Sequence, residues 1–146
     1  MGSQSVQDIN QLWLTWVELW NGDFDVAAEL VSPGFVAHFP PTGNTPVEVQ
    51  GREGLTAGIQ QFAAAFSEYT FTTTVGPIAQ NGILAGRWSC RGLYNGVIPG
   101  SSPDMIGKEV VFEGADFLRI EGGQLVEYWL SADMLAFLQL VGVIPV

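Results

Sequence analysis

Residues 110–133 read VVFEGADFLRI-EGG-QLVEYWLSAD, two β-rich apolar runs around Glu121-Gly122-Gly123. Their register decides which side chains share a face. A two-residue loop of Gly122-Gly123 would pair Asp116 with Trp129, whereas a three-residue loop with Gly123 left-handed in a bulge would pair it with Tyr128. Hydrophobic matching favours the bulged turn, because a one-residue slip mixes the apolar and charged sets. One face then collects Phe112, Gly114, Asp116, Leu118, Ile120, Val126, Tyr128 and Leu130. The other collects Glu113, Phe117, Arg119, Glu121, Leu125, Glu127 and Trp129. Asp116 is the single charge on its face, with the Tyr128 phenol as its expected cross-strand neighbour.

Outward from this hairpin, Ile9 to Trp20 carries apolar residues at helical spacing, ending at Asn21-Gly22. Its tryptophan stripe (13, 16 and 20) reads as core first and ligand platform second. Asp23 is positioned to cap a second short helix running to Val31, stopped by Ser32-Pro33-Gly34. Phe35 to Phe39 is a short strand holding His38, the only histidine, and 40–46 is a loop of turn formers. A third helix follows Gly51, with Leu55, Ile59, Phe62 and Phe66 on one side. Tyr69 to Val75 alternates as a half-exposed strand, Asn81-Gly82 is a hairpin turn, and Ile83 to Gly92 is the next strand. There Leu84, Trp88 and Cys90 oppose Arg87, Ser89 and Arg91. Leu93 to Gly107 is a long glycine-rich loop or lid, and Met134 to Leu140 a last helical turn or two with Asp133 as its cap. Helices first and antiparallel strands after make an α+β domain over residues 1–146, a curved sheet with helices on its inner side.

Composition bounds the function. The chain has 146 residues, 47% of them hydrophobic, enough for one real core. A net charge of −10, from 15 acids against 5 bases, disfavours nucleic acid and anionic membrane as partners. One cysteine allows no internal disulfide and no thiolate zinc cluster. The polar start, with Asp8 and no basic segment, predicts no secretory leader. The tail from Met134 to Val146 is too short to span a bilayer. A cytoplasmic location is therefore expected.

Several short pieces together carry a resemblance: Trp20-Asn21-Gly22-Asp23-Phe24, Phe35-Val36-Ala37-His38, Gly51-Arg52-Glu53-Gly54 and Arg87-Trp88-Ser89-Cys90-Arg91-Gly92. Gly107-Lys108, Phe117-Leu118-Arg119-Ile120 and the run from Gly123 through Glu127 and Trp129 to Asp133 continue it. In order and spacing they resemble the SnoaL-like polyketide cyclases and ester cyclases of the nuclear transport factor two and ketosteroid isomerase superfamily. The resemblance implies a cone-shaped curved antiparallel sheet with N-terminal helices on its concave side, a cystatin-like α+β barrel around an apolar pocket. It also implies that the acid/base aspartate of the aldol-type cyclases falls at Leu130, and a second polar pocket position at Asp116. The Asp–Arg–Asp set of the epoxide-hydrolase version cannot be assembled at matching positions. The same cone hosts isomerases, cyclases, hydrolases, hydroxylases and non-catalytic binders, so chemistry has to be argued from the site.

The catalytic candidates are Asp116, His38 and Tyr128. Desolvation would raise the Asp116 pKa toward neutrality, suiting an acid or base; the alternative is a carboxylate merely hydrogen-bonded in the core. Tyr128 is a donor to Asp116 or to a developing enolate, or else a core aromatic with its hydroxyl satisfied. His38 is a second acid/base group at the pocket mouth, or a structural hydrogen-bonder. Trp16, Phe62, Trp88, Phe112, Leu118 and Leu130 are the expected substrate-binding wall. Arg119 and Glu127 read as an ion pair on the outer face, Arg87 and Arg91 as partners for nearby acids, and Cys90 as core rather than nucleophile. No metal-ligand cluster or phosphate-binding glycine loop appears, so no metal and no cofactor are expected. Two functions remain: a cofactor-free cyclase or isomerase acting on a small apolar carbonyl compound, and a non-catalytic binding or assembly protein. A homodimer through the outer sheet face is expected, from Phe117, Leu125 and Trp129.

Overall fold

The computed structural model describes residues 6–42 and 45–146. Residues 1–5 of the polar start, and 43 and 44 of the expected 40–46 loop, lie outside the described residues. Helix α1 (Val6–Trp20) leads through a 3-10 turn (Phe24–Val26) into α2 (Ala27–Leu30). Strands β1 (Val31–Thr42) and β2 (Thr45–Gln50) precede α3 (Gly51–Ala63). Then come β3 (Phe66–Gln80), β4 (Ile83–Tyr94), β5 (Glu109–Glu121), β6 (Gln124–Ala132) and α4 (Met134–Leu140). The strands form one six-stranded sheet in the order β2-β1-β6-β5-β4-β3. Every neighbouring pair is antiparallel except β1 with β6, so the sheet is mixed at that one junction.

The helical stripe of α1 is the reason it packs where it does. Trp13, Trp16, Leu19 and Trp20 are buried, and the helix lies on β3 and β4. Helix α3 covers β1 and β2 and α4 covers β5, giving the expected α+β arrangement of helices on a curved sheet. On β4, Leu84, Trp88, Cys90 and Tyr94 are buried while Arg87 and Arg91 are exposed, as strand alternation requires.

The closing hairpin departs from the expected register. Gly122 (φ +59°) and Gly123 (φ +78°) are both left-handed, and Glu121 pairs with Gln124 across a two-residue turn. Two left-handed residues twist with the strands, so this turn wins over the three-residue one. The extra residue is absorbed further along: Ile120 faces Leu125, Arg119 faces Glu127, and Val126 has no partner. Asp116 is therefore opposite Leu130, neither Tyr128 nor Trp129, and Leu118 is opposite Tyr128. The bulge also turns Leu125 inward, where it is fully buried, so it leaves the outer face on which the sequence placed it.

Other boundaries shift for local reasons. β1 runs through Ser32-Pro33-Gly34, where its register against β6 breaks between Val31 and Val36 and a proline without an N–H is tolerated. Asp23 sits at the start of the 3-10 turn but its side chain makes no cap bond. Asp133 does cap α4, accepting from Ala136 N at 3.0 Å. The loop after β4 is stapled down: the Tyr94 hydroxyl donates to Ser101 Oγ (2.7 Å) and accepts from Ile98 N, and Ser102 N donates to Val141 O.

Candidate functional site

Asp116 is the one buried charged residue among those described, at mid-strand in β5. Gly86 of β4 and Leu130 of β6 are its direct neighbours across the sheet. Three donors from three elements converge on its carboxylate, each at 2.9 Å. Trp16 Nε1 from α1 donates to Oδ2, while Trp88 Nε1 from β4 and the Tyr128 hydroxyl from β6 donate to Oδ1. A carboxylate has about four acceptor positions. Two are filled on Oδ1 and one on Oδ2, so the remaining lone pair lies on Oδ2.

Burial pushes the Asp116 carboxyl up to about 6, the three hydrogen bonds pulling against it because they favour the charged form. Tyr128 is held well above the usual phenol range by burial first, then by the charge of Asp116 and the bond it makes to it. The phenol therefore remains a donor at any ordinary pH. The Trp16 and Tyr128 rings meet edge-on with centroids 4.7 Å apart, which fixes both donors.

Glycines make room for the indoles. A Cβ on Gly114 would lie well inside 3 Å of the Trp88 ring and 2.7 Å from Ser131 O. One on Gly86 would run into the Trp13 ring in the same way. Close approach of flat rings to the sheet is thus written into two glycines on the inner face.

The remaining wall candidates surround the same interior. Phe112 and Leu118 are buried, Phe62 and Leu130 partly so, and Phe62 rings with Trp20, Phe71 and Phe112. Sequence reasoning took Trp16 and Trp88 as wall and missed them as donors. The signal was present, since an indole N–H can only donate and a buried one needs an acceptor. Cys90 is buried and its thiol is pushed up to about 12, far from a nucleophile's range.

His38 is not with them. Its neighbour Ala37 points into the core, and His38 shares the opposite sheet face with Glu127 and Trp129. Its Nε2 is 2.7 Å from Glu127 Oε2, its Nδ1 3.4 Å from Glu48 Oε2, and its ring stacks on Trp129. The His38 contact, ahead of Arg119, holds the Glu127 carboxyl below its usual range. The cause of the misplacement is strand alternation, which puts consecutive residues on opposite faces. Arg119 and Glu127 pair across the hairpin at 3.4 Å on that outer face, as expected.

Among the described residues no group of three or more His, Cys, Asp or Glu side chains could hold a metal ion, and no helix is long and apolar enough to cross a membrane. An open depression lined by Asp8, Gln11, Leu12, Thr15 and Gly123 includes none of the residues around Asp116.

The family profile described as SnoaL-like polyketide cyclase matches residues 10–140. Among curated proteins, none matches the sequence significantly. Several solved structures superpose over nearly the whole chain. A candidate polyketide cyclase, IdmH from Streptomyces antibioticus, is 26% identical with a TM-score of 0.77, over 92% of this chain and 99% of its own. A candidate SnoaL-like polyketide cyclase from Jannaschia sp. CCS1 is 18% identical with a TM-score of 0.79, over 99% and 100%. A candidate hydroxylase, AclR from Streptomyces galilaeus, is 22% identical with a TM-score of 0.78, over 97% and 85%. The last two likenesses speak for the fold alone.

Proposed function

The chain belongs to the SnoaL-like polyketide cyclase family, and from that premise we propose that it is a cofactor-free cyclase or isomerase acting on a small, apolar, carbonyl-bearing substrate. The observation that carries this reading is Asp116: a buried carboxyl pushed up to about 6 by desolvation, held by three donors, with one lone pair left on Oδ2. A base of that strength is largely ionised at neutral pH and still accepts a proton readily.

In this reading Oδ2 takes a proton from the carbon next to a carbonyl. The C–H bond breaks, an O–H bond forms on Asp116, and the electron pair moves to the carbonyl oxygen as an enolate. Ring closure follows when the enolate carbon attacks a second carbonyl of the same molecule, whose π pair moves to its oxygen, and that oxygen takes the proton back from Asp116. Isomerisation follows when Asp116 returns the proton to another carbon. Trp16, Trp88 and Tyr128 fix the carboxylate's orientation and limit its reorganisation as charge moves. The acid sits on β5, while the family resemblance places it across the ladder at Leu130.

Proton exchange tests this without the natural substrate. 2-Tetralone in deuterated water should lose its C1 hydrogens faster with the protein than in buffer, and Asp116→Asn should abolish the acceleration. A second reading, a non-catalytic binding protein, is favoured by the same three donors, which equally describe a carboxylate kept as a structural anchor. Saturable binding of 2-tetralone without accelerated exchange would establish that reading instead.

A further inference from the structure

Among the described buried side-chain nitrogens and oxygens, one has no hydrogen-bond partner: the indole Nε1 of Trp20. The contrast with its helix neighbours is sharp. Trp13 donates to Thr73 Oγ1 at 2.8 Å and Trp16 to Asp116 at 2.9 Å. Trp20 is only 7% exposed, so its N–H is withheld from bulk water. Native interiors rarely leave such a donor unmet without a reason.

Its place supplies the reason. The Trp20 ring meets Trp16 at 6.0 Å and Tyr128 at 6.2 Å between centroids, the two side chains that reach Asp116 from α1 and β6. Phe62 and Phe71 also pack against it, at 6.0 and 5.6 Å between centroids. The polar ends of Trp16 and Tyr128 are already given to Asp116. A lone water needs two to four polar partners and finds a poor site among such rings. A carbonyl oxygen carried on an apolar body suits it better, because the body packs on the rings while the oxygen accepts from the indole.

The donor is also held rigidly. Trp20 O accepts from the Tyr69 hydroxyl at 2.8 Å. Next door, Asn21 Oδ1 accepts from Phe71 N at 2.7 Å and its Nδ2 donates to Phe71 O at 3.2 Å. The end of α1 is thus fastened to β3.

We propose that Trp20 Nε1 is the hydrogen-bond donor that receives the substrate's carbonyl oxygen, so that an unpaired N–H and the remaining lone pair of Asp116 Oδ2 form one site for an apolar ketone. This rests on the reading of Asp116 as the base. The ketone oxygen gains charge as Asp116 removes the neighbouring proton, and a fixed donor in an apolar setting binds the charged form more tightly. An indole offers no acceptor, so this end of the site takes an oxygen acceptor and cannot accept a hydrogen bond from a donor group.

The test uses two probes of the same shape, 2-tetralone and tetralin, with ¹⁵N-labelled indoles followed by NMR. A free indole N–H resonates apart from bonded ones, and Trp20→Phe assigns it by removing it. Adding 2-tetralone should move that resonance toward the bonded range, and tetralin should not. In Trp20→Phe, 2-tetralone affinity should fall about tenfold, the scale of one hydrogen bond, with tetralin affinity unchanged. If that variant does not fold, the carbonyl stretch of 2-tetralone on the unaltered protein decides: it should sit lower than in hexane. A ketone that binds without moving the Trp20 resonance or lowering its stretch overturns the proposal, and so does a protein that binds no 2-tetralone at millimolar concentration. Failure of the Asp116 reading looks different: the Trp20 resonance still moves, but no hydrogen exchange is catalysed.

Discussion

Asp116 and Leu130 face each other across the β5–β6 ladder. The carboxylate therefore stands one strand away from the position where the family resemblance places the acid. Direct partners have Cβ atoms about 4.5–5.5 Å apart, so two acids here would feel each other strongly. In Leu130→Asp the pair should share one proton near neutrality, with the more basic step well above the value of Asp116 alone. The pH–rate profile of 2-tetralone exchange checks this: its rising limb should move up by at least about one pH unit. An unmoved limb would mean that the introduced carboxylate points away or that Asp116 is not the base.

Burial of Asp116 has a stability consequence whose sign is fixed. Its folded value, about 6, lies above the ordinary 3.8, so the folded state holds the proton more tightly than the unfolded state. Stability from this group is then full at low pH and is lost as pH rises from about 4 through 6. At about 1.4 kcal/mol per tenfold change in proton affinity, the loss is roughly 3 kcal/mol. Glu127, held low by His38, works the opposite way, losing its contribution as pH falls, but it is common to both proteins compared. Urea unfolding of the unaltered protein and of Asp116→Asn at pH 4 and 7 should show the gap between them changing by most of that amount, about 2 kcal/mol, in favour of the variant at pH 7. A gap independent of pH would contradict the burial of an ionised Asp116.

Gly114 reaches the site through Trp88. A methyl there would collide with both the Trp88 ring and the Ser131 carbonyl, and backbone cannot yield cheaply. Gly114→Ala should cost about 1–3 kcal/mol, the usual range for overpacking. It should also displace the Trp88 N–H from Asp116. Because that bond lowers the carboxyl's pKa, the rising limb of exchange should shift to higher pH. Gly34→Ala is the control, since its Cβ would meet only Ser32 Oγ at 4.0 Å. Equal effects from the two variants would show that Gly114 is not what makes room for the indole.

Strand alternation made the inner and outer faces of β4 and the lone acid of β5 legible from sequence. The bulge at Val126 was not legible, because Leu125 and Val126 are both apolar and either can face inward. Strand β2 and the ends of β1 were hidden by prolines and turn formers, which an edge strand or a register break accommodates without losing its pairing. At the site, residue types identified Asp116 and the Tyr128 hydroxyl that donates to it, but not the two indoles that complete the set. Trp16 is separated from Asp116 by 100 positions, and only the packing of α1 on the sheet brings its N–H to the carboxylate. His38 failed for the opposite reason: nearness to a pocket in the chain says nothing of which sheet face a side chain takes.

The outer sheet face carries the last expectation, a homodimer. Val111 and Phe117 are 38% and 46% exposed there, and Trp129, opposite Phe117, is partly covered by the Arg119 guanidinium 5.4 Å from its ring. Despite a chain charge of −10, three ion pairs on this face, Arg87 with Glu113, Arg91 with Glu109, and Arg119 with Glu127, offset part of that charge. Two copies can therefore meet here with less repulsion than the whole chain would predict, and the exposed aromatic and aliphatic surface gives them a reason to. Light scattering at micromolar concentration should give twice the 15.8 kDa of one chain. Phe117→Lys, which keeps the strand but puts an unpaired cation into the contact, should give the monomer with an unchanged circular dichroism spectrum. A monomeric unaltered protein would remove the dimer, and a dimer that survives Phe117→Lys would place the contact on another surface.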